Sequence, residues 1–145
     1  MTRSVITPEF VDFVPEDLDP GVLYVSMRFS TVVHLCPCGC GNKVVTPLSP
    51  PEWHLLYDGE TVSLMPSVGN WQFPCRSHYW IRQNRIKWAR SWSDDEISAG
   101  RLRDAHEIEA YFASRVPGAE VEETPARSMK PESRPFARLR RWFGH

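Results

Sequence analysis

Residues 32–45 read VVHLCPCGCGNKVV, two β-branched runs around a short turn that carries Cys36, Cys38 and Cys40. Gly39 and Gly41 supply the left-handed backbone that so tight a turn needs. Two strands joined by a thiol-bearing turn predict a β-rich fold clamped by a metal. Converging soft ligands in a tetrahedral set favour zinc over harder cations. Cys75, thirty-five residues beyond Cys40, is where a clip from one strand pair to another would find its fourth thiol. The spacing C-x-C-x-C is not the C-x-x-C of common zinc knuckles. It therefore stays open whether all four thiols ligate or whether His78 or His34 replaces one of them. The plainer alternative is a set of buried, reduced cysteines. A thioredoxin-like redox centre is disfavoured, because no C-x-x-C lies in a βαβ context.

Working outward, VLYVSMRF (22–29) and TVVHLC (31–36) precede the thiol turn and NKVVTPL (42–48) follows it, all β-branched or aromatic. SPPEWHLLYDGETVSLMP (49–66) carries Asp58-Gly59 between alternating segments, a hairpin signal. NWQFPCRSHYWI (70–81) and RIKWA (85–89) suggest a second hairpin turning near Gln83-Asn84, since Asn tolerates the left-handed region. About seven short strands are expected before Ser93. Residues 1–21, rich in Pro and acids and without sustained period, are expected as an extended segment along the domain surface.

SDDEISAGRLRDAHEIEAYFASRVPG (93–118) is the one convincing helix. Ser93 is its expected N-cap, Glu96 completes a capping box, and acids in the first turn suit the helix dipole. Ile97, Leu102, Ala105, Ile108 and Phe112 form an apolar stripe expected to pack on the sheet. The expected class is mainly β with one C-terminal helix (α+β), a small sandwich or half-barrel, with its zinc-containing domain over residues 22–118. Residues 119–145 have the composition of a flexible linker and a basic-aromatic tail.

The chain has 145 residues and a net charge of −1. Residues 125–145 hold six Lys/Arg and one Glu, a local +5, so the remainder carries −6. No apolar run approaches a membrane span or a secretory leader, so a cytoplasmic protein with reduced thiols is expected.

HLCPCGCG (34–41) together with GNWQFPCRSHYWIRQNRIKWA (69–89) resembles a small bacterial zinc-cysteine family encoded beside ubiquitin-like proteins and homologues of ubiquitin-activating and ubiquitin-conjugating enzymes. The two motifs cover about a fifth of the chain. The resemblance implies a zinc-containing peptidase or transpeptidase that processes the C-terminus of a ubiquitin-like partner. It matches Cys36, Cys38, Cys40 and Cys75 to the family's cysteine positions and His34, Ser77 and His78 to its polar ones.

Peptide cleavage needs a nucleophile, a base within hydrogen-bond reach and donors for the oxyanion. If NWQFPCRSHYWI is one strand, alternation puts Cys75, Ser77 and Tyr79 on one face and Arg76, His78 and Trp80 on the other. His34 shares a face with Cys36 by the same parity. A metal joining Cys36 to Cys75 would then bring Ser77 and His34 together, and this pair is the expected nucleophile and base. A bulge after Pro74 would undo the parity, so His78 is held as a reserve base or metal ligand. Against this, Ser77 lacks a G-x-S-x-G elbow, and a strand serine is more often a satisfied hydroxyl. His54 and His106 read as structural, and Asp58 and Glu60 as solvated turn residues, so no third triad member is singled out. H-E-x-x-H is absent, as is the H-x-E signature of zinc deaminases.

Two other classes compete. Trp71, Phe73, Tyr79, Trp80, Trp88 and Trp92 on short strands resemble a stacking platform for single-stranded nucleic acid, but a body charge of −6 opposes phosphate binding. A zinc-stabilised, non-catalytic adaptor of the conjugation system is the other.

Overall fold

A computed structural model describes residues 2–115. The expected linker and basic tail, and the last residues of the expected helix, lie outside the described residues. Among the described residues, eight strands form two four-stranded sheets and one helix follows them.

The first sheet runs β1 (Thr7–Phe10), β2 (Val22–Ser26), β3 (Thr31–Leu35), β4 (Lys43–Pro47) in spatial as well as chain order. β1 pairs with β2 in parallel, whereas β2–β3 and β3–β4 are antiparallel. The N-terminal segment is thus part of the sheet, and Ile6 is buried in the core. A four-residue strand holding a proline shows no alternation to betray it. In β4 the pattern is legible: Val44 and Thr46 are buried while Lys43, Val45 and Pro47 face out.

The second sheet, β5 (His54–Tyr57), β6 (Val62–Gly69), β7 (His78–Arg82) and β8 (Arg85–Trp88), is antiparallel throughout. Asp58-Gly59 turns β5 into β6, with Gly59 at φ 96° and the Asp58 carboxylate accepting from the Glu60 and Thr61 amides. Gln83 and Asn84, at φ 48° and 62°, form the expected two-residue turn between β7 and β8. Leu23, Val25, Val32 and Val44 of the first sheet meet Val62, Leu64, Val68, Tyr79, Ile81 and Ile86 of the second in one core. The architecture is a two-sheet sandwich, not a closed barrel.

α1 (Asp94–Ala113) begins as expected, with Ser93 accepting from the Glu96 amide and the Glu96 carboxylate accepting from the Ser93 amide. The expected stripe does not hold. Ile97 and Gly100 are buried, but Leu102 is 73% and Phe112 54% exposed. α1 docks through its first two turns and then leaves the sheet, so a cleft of about 800 Å³ opens between α1 and the outer face of the second sheet. No described helix is long and apolar enough to cross a membrane.

Candidate active site and thiol centre

β3 delivers Cys36 into a turn in which the Gly39 amide donates to the Cys36 carbonyl and Gly39 and Gly41 take φ of 92° and 80°. The fourth thiol comes from the loop between β6 and β7. That stretch is not a strand: its ends are tied by the Asn70 amide donating to the Ser77 carbonyl, and it turns through Phe73 and Arg76. The sulfurs of Cys36, Cys38, Cys40 and Cys75 all lie within 4.8 Å of one another. Individual separations are 3.4 Å (Cys36–Cys38), 3.9 Å (Cys36–Cys75) and 3.8 Å (Cys40–Cys75). Four thiolates about 2.3 Å from a tetrahedral ion stand about 3.8 Å apart, so the set can hold a metal ion. Among the described residues no histidine lies in this cluster, so the set it offers to a metal is four thiols.

Polar groups support the sulfurs. Asn42 Nδ2 donates to Cys40 Sγ at 3.2 Å, and Ser77 Oγ lies 3.1 Å from Cys36 Sγ. Burial pushes the Cys36 thiol up. At Cys40 the upward pull of desolvation is outweighed by hydrogen bonds from Asn42 and the neighbouring thiols, and its value falls to about 7. Ionised together, four sulfurs this close would require a cation as counter-charge.

The expected Ser77–His34 pair is not brought together. His34 Nε2 lies 2.7 Å from the Tyr79 hydroxyl, and Ser77 Oγ instead meets Cys36 Sγ and accepts from Asn70 Nδ2 at 2.9 Å. Parity chose the right face but the wrong rung: Ser77 sits beside Cys36, and Tyr79 beside His34. Among the described residues no hydrogen bond joins His34 to Ser77. Both are buried, His34 completely, and burial lowers its imidazole to about 4. His34, Tyr79, Asn70 and Ser77 form a polar thread behind the thiol centre.

His78 has different company. It opens β7, and its Nδ1 lies 2.7 Å from the Arg90 carbonyl and its Nε2 2.9 Å from Ser67 Oγ. A carbonyl only accepts, so Nδ1 carries a proton, and in the neutral ring Nε2 accepts from the serine. Ser67 and His78 both line the cleft under α1. Ser67 was not singled out in the sequence. In the sheet Gly69 stands opposite His78, so Ser67, two residues earlier on the same face, is its diagonal neighbour. The eight residues between Gly69 and His78 concealed that register, and so did the irregularity between Leu64 and Val68. A half-buried serine hydroxyl bonded to an imidazole, itself oriented through its second nitrogen, is the arrangement that serine acyl transfer uses.

Neither the curated proteins nor the solved structures hold a match to the chain. A family model does match it, over residues 10–89, more than half of its length and including every thiol, Ser67 and His78. The chain belongs to the bacterial ubiquitination-like system serine protease (BubE) family.

Proposed function

We propose that the chain is a serine-type peptidase or transpeptidase that processes the C-terminus of a ubiquitin-like protein, with Ser67 as nucleophile and His78 as general base. The observation that carries this reading is the alignment of Ser67 Oγ, the His78 imidazole and the Arg90 carbonyl at the cleft wall. In the chemistry proposed, Ser67 Oγ bonds to the scissile carbonyl carbon as its proton passes to His78 Nε2. The imidazolium then gives that proton to the departing amine. The acyl group left on Ser67 goes to water in a peptidase or to an incoming amine in a transpeptidase. A zinc ion on the four thiols would clip the β3–β4 turn to the loop that leads into His78, and its role in this reading is structural. Activating and conjugating enzymes of the same system are the further partners expected.

The test is a ubiquitin-like protein bearing a C-terminal extension, incubated with the native chain, Ser67→Ala and Ser77→Ala. Cleavage by the native chain and Ser77→Ala, but not by Ser67→Ala, is expected. Cleavage by none of them would favour the non-catalytic adaptor.

A further inference from the structure

The His78 imidazole packs beside a pair of stacked indoles. The Trp71 ring lies 4.9 Å away, tilted by 59°, and the Trp92 ring 5.3 Å away, at 74°. The indoles themselves stack at 5.5 Å and 20°. Each is seated against a glycine. A Cβ on Gly69 would stand 2.5 Å from Trp71 Nε1, and one on Gly100 would stand 2.9 Å from the Trp92 ring. Gly69 lies in a strand and Gly100 inside α1, where glycine weakens regular structure. The backbone carrying Trp92 is fixed as well: Arg76 donates to its carbonyl at 3.5 Å and pairs with Asp94 at 2.9 Å.

Both imidazole nitrogens are occupied, by a carbonyl and a hydroxyl that carry no charge. When His78 takes the serine proton it becomes a cation, and a Ser-His-Asp site meets that cation with a carboxylate. Among the described residues, the charged groups around this cleft are committed or stand on its far wall. Asp94 is paired with Arg76, and Glu52 accepts from Ser49. Arg101, Asp104 and Glu107 line the α1 side, and none is hydrogen-bonded to His78. We infer that Trp71 and Trp92 take over the positioning that a carboxylate supplies in such a site, holding the imidazole in line with Ser67 Oγ by packing against it. The three ring centroids stand 4.9, 5.3 and 5.5 Å apart, so the imidazole packs beside the stacked indoles and cannot swing out of line without displacing one of them. The inference rests on the Ser67–His78 reading proposed above.

The test uses the full chain and a fluorophosphonate probe. Ser67 Oγ bonds to phosphorus as fluoride leaves, and the serine proton passes to His78 and on to solvent. Saturation kinetics separate the maximal labelling rate from probe affinity, and mass spectrometry identifies the modified residue. Trp71→Leu and Trp92→Leu should each lower the maximal rate by about tenfold with little change in affinity, and Phe at either position should recover most of the loss. Gly100→Ala, which crowds the Trp92 ring without altering it, should also slow labelling, and it covers the case in which a leucine variant does not fold. Equal rates for Leu and Phe variants, or a loss confined to affinity, would overturn the inference. A native chain unlabelled at Ser67 would instead overturn the Ser67–His78 reading and the inference with it.

Discussion

Ser67 Oγ lies 2.9 Å from His78 Nε2 although the two residues are eleven apart and on different strands. Gly69 stands opposite His78 in the sheet, which makes Ser67, on the same face, its diagonal neighbour. A unit of this kind fails when either member is lost. Ser67→Ala and His78→Ala should each reduce turnover by about 10³-fold or more, and the double variant should be no worse than the weaker single. Ser67→Ala should remain folded, with a thermal midpoint at most a few degrees lower, since one hydrogen bond contributes about 1 kcal/mol. Independent losses that multiply in the double variant would count against the pair.

Ser77 and Asn70 belong to the thread behind the thiols, and their substitution should affect stability. Asn70 is 3% exposed and its Nδ2 serves both Ser77 Oγ at 2.9 Å and the Tyr79 hydroxyl at 3.4 Å. Asn70→Ala leaves two buried hydroxyls short of a donor and should lower unfolding stability by about 1–3 kcal/mol in urea titration. Ser77→Ala removes one hydroxyl and should cost about 1 kcal/mol, with labelling of Ser67 retained. Loss of labelling in Ser77→Ala with the fold intact would return Ser77 to the catalytic role that strand parity suggested.

These two residues also mark how far the sequence could be read. Val44 and Thr46 alternate cleanly with Lys43, Val45 and Pro47, and the turns at Asp58-Gly59 and Gln83-Asn84 use Gly59 and Asn84 at φ > 0, so strands and hairpins followed from local chemistry. The four thiols were legible because few other uses exist for cysteines at that spacing. Ser67 was not, because its role depends on cross-strand register, which the Asn70–Ser77 loop and the irregularity after Leu64 set beyond the reach of local pattern. The same loop displaced the parity argument: β7 begins at His78, so alternation did not run back through Cys75. The α1 stripe misled because a cleft, and not the sheet, faces most of that helix.

The four sulfurs within 4.8 Å predict one zinc per chain, measurable by elemental analysis of freshly purified protein. Cys36→Ser should be the most damaging single replacement, since Cys36 is buried while Cys40 and Cys75 are exposed. Metal removal by a chelator should lower the thermal midpoint by several degrees, because structural zinc contributes folding energy directly. Protein that holds no metal and keeps its midpoint after chelation would refute the site.

The start of α1 determines where Gly100, and through it Trp92, sits, so the helix cap is predicted to matter at a distance. Ser93→Ala removes an N-cap and should cost about 1 kcal/mol of stability. Glu96 is held down to about 2 by its hydrogen bond from Arg90, reinforced by the Ser93 amide. A carboxyl whose folded value is depressed stabilises the fold above its ordinary value of 4.5, and that contribution is lost as the pH falls through about 2. The stability gap between the native chain and Glu96→Gln should therefore be full at neutral pH and shrink steadily between pH 4.5 and 2. Denaturant titrations of the two proteins side by side measure that gap directly. A gap that stays constant across that range would mean that the Arg90–Glu96 contact carries no charge-dependent weight and that the cap rests on Ser93 alone.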